Sequence, residues 1–286
     1  MVMNEVLTAT QKQLELLIES YGNQVVASSV AHVRGIIKLE DCVITLYTTG
    51  SVVFQGKAAR EHFLEWQTIF NESFRAHIGS DEVGTGDFFG PVVVCAAYVS
   101  PELEPTLLAL GVGDSKTFTD AKIVEMAKQM LPLVAHRQLV LMPEYYNKLY
   151  DKHPNLNHIK ALLHNRAILE LLQHTGPKPV VMDQFVHPKK YFEYLDHQKT
   201  VHRDIEFHTK AESKFIAVAV ASILARFYFL ESWAILERKA GQRLPKGAGS
   251  LVDDAAVTLY DSMEESAFGQ FAKLHFKNMK KIQPIH

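Results

Sequence analysis

The residues best suited to chemistry are two adjacent carboxylates, Asp81 and Glu82, in the stretch Gly79-Ser-Asp-Glu-Val-Gly-Thr-Gly-Asp-Phe-Phe-Gly-Pro91. Adjacent acids beside a glycine-rich turn make either a solvated loop or a cation site that backbone must approach closely. Side chains one residue apart on a strand point to opposite faces, so spacing alone leaves both readings open. Two more acids stand at suggestive places. Asp183 ends the apolar run Pro179-Val-Val-Met-Asp183, and the carboxyl ends of buried strands are where open α/β sheets place their sites. Glu212 precedes the apolar run 215–229, where an acid in a first helical turn also simply complements the helix dipole. Lys116 and Lys246, each in a segment containing Gly or Pro, are candidate phosphate contacts or else solvated surface. Ser80, Ser115 and Ser213 have no recognisable base partner, which argues against nucleophilic serine catalysis.

The rest of the composition narrows the class. The chain has 286 residues, 47% hydrophobic and 22% charged, enough for one large domain or two modest ones. Its only cysteines, Cys42 and Cys95, lie inside apolar runs, and its fourteen histidines show no metal-ligand spacing. A disulfide framework or thiolate zinc site is therefore not expected, and a reducing compartment is. The net charge of −2 is uneven: residues 1–72 hold 5 Lys+Arg against 8 Asp+Glu, and 73–286 hold 25 against 24. A nucleic-acid binder of this composition must concentrate its cations locally, as Lys273, Lys277, Lys280 and Lys281 do modestly. The first ten residues lack a signal-peptide pattern and no stretch approaches 18 apolar residues, so a soluble cytoplasmic protein without membrane contact is expected.

These acids need a scaffold. Leu14, Leu17, Ile18 and Tyr21 recur at helical spacing, which predicts a helix over 4–20 that stops at Gly22. Residues 30–38, 41–47 and 51–55 read as strands, with Thr48-Thr49-Gly50 as a hairpin turn. A helix over 58–70, with Ala59, Phe63, Trp66 and Phe70 on one face, completes a small α+β unit. One sheet face would be covered by helices and the other, carrying Val43, Thr45 and Tyr47, left open. The domain boundary is placed at 71/72.

Beyond it, strands are predicted at 74–82, 89–100, 136–142, 177–185 and 201–208, with Gly84-Thr85-Gly86 turning between the first two. A dinucleotide fingerprint needs a helix after its Gly-x-Gly, so a Rossmann reading fails here. Helical patterns occupy 102–110, 119–132, 155–173, 188–195 and 215–229, and 244–281 reads as turn plus helices.

This order, with acids on the first strand, at the end of the fourth and beyond the fifth, resembles the ribonuclease H fold. Its mixed five-stranded sheet is flanked by helices. The motifs Asp81-Glu-Val-Gly-Thr-Gly-Asp87, Asp114-Ser-Lys116, Asn155-Leu-Asn157, His164-Asn165, Val181-Met-Asp-Gln-Phe185, Ala221-Ser-Ile-Leu-Ala-Arg226, Leu244-Pro-Lys-Gly-Ala248 and Lys273-Leu-His-Phe276 are similar to those of type 2 ribonucleases H, in the bacterial ribonuclease HIII branch. The resemblance spans nearly all of 74–281. It implies a catalytic domain over 72–286 preceded, at 1–71, by a substrate-binding domain resembling half of the TATA-binding protein. Ser51 stands where the family often carries lysine.

The resemblance implies an endonuclease that cuts the RNA strand of RNA–DNA hybrids, leaving 5′-phosphate and 3′-hydroxyl ends. Asp81, Glu82, Asp183 and Glu212 would be the catalytic metal ligands, holding Mg²⁺, or Mn²⁺ as an alternative, as two ions during catalysis. Hard oxygen donors suit those metals. Gly84, Thr85 and Gly86 would check for a ribose, with Ser115, Lys116 and Lys246 on the substrate. A monomer is expected. A DNA nuclease or resolvase of the same fold, and a catalytically silent nucleic-acid-binding module, are the rival readings; the second would be marked by a missing acid, and all four are present.

Overall fold

The computed structural model describes residues 3–9, 11–113 and 118–282. The chain divides into two compact units after Arg75, four residues beyond the predicted boundary.

In the first unit the elements are β1 (Met3–Thr8), α1 (Gln11–Tyr21), β2 (Val25–Val26), β3 (Val33–Lys38), β4 (Cys42–Tyr47), β5 (Ser51–Gly56) and α2 (Ala59–Arg75). All strand pairs are antiparallel, in the order β1-β5-β4-β3-β2. The predicted helix over 4–20 is thus corrected: residues 4–8 are strand. Leu7 and Ala9 point inward while Val6 is exposed, a period of two, and β1 supplies the hydrogen-bonding partner that the edge of β5 would otherwise lack. Helical periodicity begins only with Leu14 and Leu17, both fully buried. The strand expected from Val30 starts three residues later, because His32 has a positive φ of 67° and Val30 is exposed. In β4, Cys42, Ile44 and Leu46 enter the core, and Val43, Thr45 and Tyr47 are half-buried on the other face. Gly50, at φ 94°, makes the predicted turn.

The second unit runs β6 (His77–Val83), β7 (Val92–Val99), α3 (Glu104–Ala109), α4 (Asp120–Met130), β8 (His136–Leu141), α5 (Pro143–Lys152), α6 (Leu156–Thr175), β9 (Val180–Asp183), α7 (Pro188–Tyr194), β10 (Ile205–His208), α8 (Ile216–Ala240), α9 (Ser250–Asp261), α10 (Glu265–Phe268) and α11 (Met279–Ile282). Its sheet order is β10-β9-β6-β7-β8. The β6–β7 and β7–β8 pairs are antiparallel, and β6–β9 and β9–β10 are parallel. This is the mixed five-stranded sheet expected; the helix α5 had no sequence counterpart.

Both sheet faces are covered. Val93, Cys95, Ala97 and Val99 of β7 pack into the cluster that contains Ala217, Val220, Ala221 and Leu224 of α8. Val94 and Ala96 pack the other way, against Ala167, Ile168 and Leu171 of α6. Helix α8 lies so close to β6 that a Cβ on Gly79 would stand 2.1 Å from the Val218 nitrogen. By length and apolar composition α8 is able to cross a bilayer, but 61% of its most apolar window is buried against the sheet. That is the signature of a core helix.

Candidate active site

The two-sided packing decides where each acid goes. Residues of β6 alternate between the α8 face and the α6 face. Asp81 is registered opposite Cys95, which packs towards α8, and Glu82 opposite Val94, which packs towards α6. The adjacent carboxylates therefore do point to opposite faces. On the α8 side, Asp81 accepts a hydrogen bond from the Ser222 hydroxyl, and its Oδ1 accepts one from the Glu82 amide at 2.8 Å. Burial is the largest influence on its carboxyl, followed by the negative charge of Glu82. Together with Asp183 they outweigh those hydrogen bonds and push the pKa up to about 7.

Asp183 closes β9, next to β6, one residue beyond the Ser80–Met182 pair. Met182 packs with Ala161 of α6, so Asp183 falls on the α8 side with Asp81. Its Oδ1 accepts a hydrogen bond from the Ala211 amide at 2.8 Å. That bond ties the turn carrying Glu212 to the end of β9. Glu212 is buried in the short 3₁₀ turn Ala211–Ser213. The prediction that it begins the long helix is corrected: Lys210 takes a left-handed conformation, Phe215 is extended, and α8 starts only at Ile216. Asp81, Asp183 and the Glu212 turn thus meet at one end of the sheet.

Glu82 is held on the opposite side. Its carboxylate accepts from Lys160 Nζ at 2.6 Å and faces His164 Nε2 at 2.9 Å, both from α6. His164 Nδ1 lies 2.7 Å from the Ser80 hydroxyl. Phe185 roofs the cluster, stacked on His164, with Lys160 Nζ 3.9 Å from its ring centroid. Burial by itself would raise the Glu82 pKa, but His164 and then Lys160 outweigh it and hold the carboxyl at about 2. Among the described residues, no three His, Cys, Asp or Glu side chains are close enough together to hold a metal ion as they stand.

The glycine turn between β6 and β7 has physical reasons for its composition. Gly84 sits at φ 87°, and a Cβ there would lie 2.1 Å from the Pro91 carbonyl oxygen. A Cβ on Gly86 would meet nothing within 4 Å, so its peptide is open to a ligand. Lys246 is on the surface, paired with Asp120 at 2.7 Å, and Asp120 also accepts from Arg226 at 2.7 Å. Ser115 and Lys116 lie outside the described residues.

Three side chains gained no role from the sequence: Lys160, His164 and Arg226. The first two had a legible signal, being polar residues four apart on a helix face that also buries Ala161 and Ile168. Lys273, expected with Lys277, Lys280 and Lys281 to form a local cationic cluster, is corrected: it is fully buried and its ammonium is taken up by backbone carbonyls.

The chain is similar to known proteins along most of its length. Residues 78–279 match the family model Ribonuclease HII, and residues 4–76 match a domain of unknown function, DUF3378. Ribonuclease HIII of Bacillus mycoides (strain KBAB4) is 44% identical over 268 residues, covering 85% of this chain and 86% of that protein. The crystal structure of Bst-RNase HIII in complex with Mn²⁺ superposes with a TM-score of 0.71 at 36% identity over 98% of both chains. The Aquifex aeolicus RNase H3 structure does so with a TM-score of 0.62 at 28% identity, over 96% of this chain and 100% of that one. With the family model matched over residues 78–279 and similarity to ribonucleases HIII along most of its length, the chain belongs to the ribonuclease HII family, among the ribonucleases HIII.

Proposed function

We propose that this ribonuclease H hydrolyses the RNA strand of RNA–DNA hybrids at the β6–β9 end of its sheet, with Asp81, Asp183 and Glu212 as the central carboxylates. The observation that carries this reading is that Asp81 and Asp183 share the α8 side of adjacent strands, with the turn bearing Glu212 tied to Asp183, at the end of β6 that leads to the open Gly86. The donor set fits hard divalent cations. Asp81 in particular is a buried carboxyl crowded by like charge, an environment that a cation relieves. Bst-RNase HIII binds Mn²⁺, and Mg²⁺ or Mn²⁺ would supply the same chemistry here: two bound ions stabilise charge on the attacking and leaving oxygens of a phosphodiester. Glu82 would complete the four-acid set, which requires its carboxylate to leave Lys160 and His164. The open Gly86 peptide would read the 2′-hydroxyl, the group that separates RNA from DNA. Lys246, with Ser115 and Lys116, would contact phosphates, and cleavage would leave 5′-phosphate and 3′-hydroxyl ends.

The first unit would act as a substrate-binding domain through its half-buried sheet face of Val43, Thr45 and Tyr47. Free, buried Cys42 and Cys95 suit a reducing cytoplasm, and we take the enzyme to act as a monomer.

Hybrid, all-RNA and all-DNA duplexes incubated with and without Mg²⁺ test the reading. Wild-type protein should cut only the hybrid, and only with metal. Asp81→Asn should fold normally and lose cleavage; a fully active Asp81→Asn protein would overturn the assignment.

A further inference from the structure

Lys273 lies beyond α10 with its side chain fully buried. Its ammonium donates to three backbone carbonyls of one loop: Asp87 at 2.7 Å, Phe89 at 3.2 Å and Gly90 at 2.7 Å. The rings of Tyr146 and Phe276 stand 5.8 and 5.9 Å from the same nitrogen. An ammonium has three donors and the pocket offers three acceptors, so the match is complete. Burying a lysine is costly unless the charge is satisfied, and three converging carbonyls would be equally costly without a donor.

The loop so gripped is the arm that follows Gly84-Thr85-Gly86. Its other bonds run to the same region. The Gly90 amide donates to the Phe271 carbonyl, and the Lys273 amide donates to the Phe88 carbonyl. Asp87 extends the brace outward: its Oδ1 accepts from the Gly247 amide at 2.6 Å, while the Phe88 amide donates to the Gly247 carbonyl at 2.8 Å. Gly247 follows Lys246 directly. One buried cation thereby fixes the glycine turn on one side and the turn carrying a surface lysine on the other.

We infer that Lys273 is a positioning residue for ribose recognition, setting the Gly84–Gly86 backbone against the substrate through a brace that Asp87 continues to Gly247. This rests on the reading that the glycine turn checks the 2′-hydroxyl. A misplacement of about 1 Å at a reacting site costs on the order of 100-fold in rate, so a loosened loop should be visible in kinetics.

The test uses full-length enzyme and two hybrids, one all-ribose and one with 2′-fluoro at the scissile position. Lys273→Met, similar in length and uncharged, should lower kcat/KM on the ribose hybrid by about tenfold or more. Its preference for ribose over 2′-fluoro should fall by about fivefold, measured per folded molecule by circular dichroism. A role in stability alone would lower the melting temperature and leave that preference unchanged. A preference within about twofold of wild type overturns the inference. Should Lys273→Met not fold, Asp87→Ala, which severs the bond to Gly247, must show the same fall, and an unchanged preference in that variant is equally fatal. Wild-type protein that cannot cut the ribose hybrid at all would instead refute the proposed function.

Discussion

Replacing Lys160 by methionine isolates the clamp on Glu82. The Lys160 and Glu82 side chains are 9% and 13% exposed, so solvent screens their 2.6 Å contact little. Removing one partner of a buried ion pair costs about 3–5 kcal/mol, because the other charge is left uncompensated. The carboxyl itself gives a second figure. It is held at about 2 against an ordinary 4.5, which at about 1.4 kcal/mol per pKa unit is roughly 3–4 kcal/mol, shared with His164. We therefore expect Lys160→Met to lose about 3 kcal/mol. For a domain of this size that is a fall in melting temperature of about 6–12 °C. The double variant Lys160→Met/Glu82→Gln should recover at least about half of it by removing the orphaned charge.

The pH dependence of the clamp has a fixed sign. A carboxyl with a depressed folded pKa contributes its stability in full above the unfolded value and loses it as pH falls towards the folded one. The gap between wild type and Lys160→Met should thus hold steady from pH 8 to about pH 5 and close below about pH 4.5. Differential scanning calorimetry in chelator reads both quantities. A variant melting within about 2 °C of wild type at pH 7, or a gap that persists into acid, would refute the reasoning.

Two further outcomes follow from contacts elsewhere in the catalytic unit. Gly79→Ala would drive a methyl group into the Ala217–Val218 backbone, 2.1 Å from the Val218 nitrogen; it should cost about 3 kcal/mol or more, and a wild-type urea midpoint would contradict the close β6–α8 packing. Lys246→Ala breaks an ion pair whose side chains are 41% and 47% exposed, so stability should change by less than about 1 kcal/mol. Hybrid KM should nevertheless rise, and the slope of log affinity against log salt should flatten by about one if Lys246 neutralises a phosphate.

The amino-acid order alone was enough to place Asp81 and Glu82 on a strand, the glycine turn after them, Asp183 at a strand end, and the strand sequence of a mixed sheet. Local periodicity and turn chemistry encode these features, and the motifs around them carry the family likeness. The opposite facing of Asp81 and Glu82 also follows from a period of two. Register and long-range packing encode the rest. Residues 4–8 pair as strand because β5 offers an edge some fifty residues away, beyond the reach of local propensity. Glu82 meets Lys160 and His164 across 78 and 82 residues, and Lys273 reaches the Asp87–Gly90 carbonyls across more than 180. No periodic pattern links positions so far apart. Only the folded sheet, by burying one carboxylate against each face, decides that Asp81 stands with Asp183 while Glu82 is clamped by a lysine and a histidine.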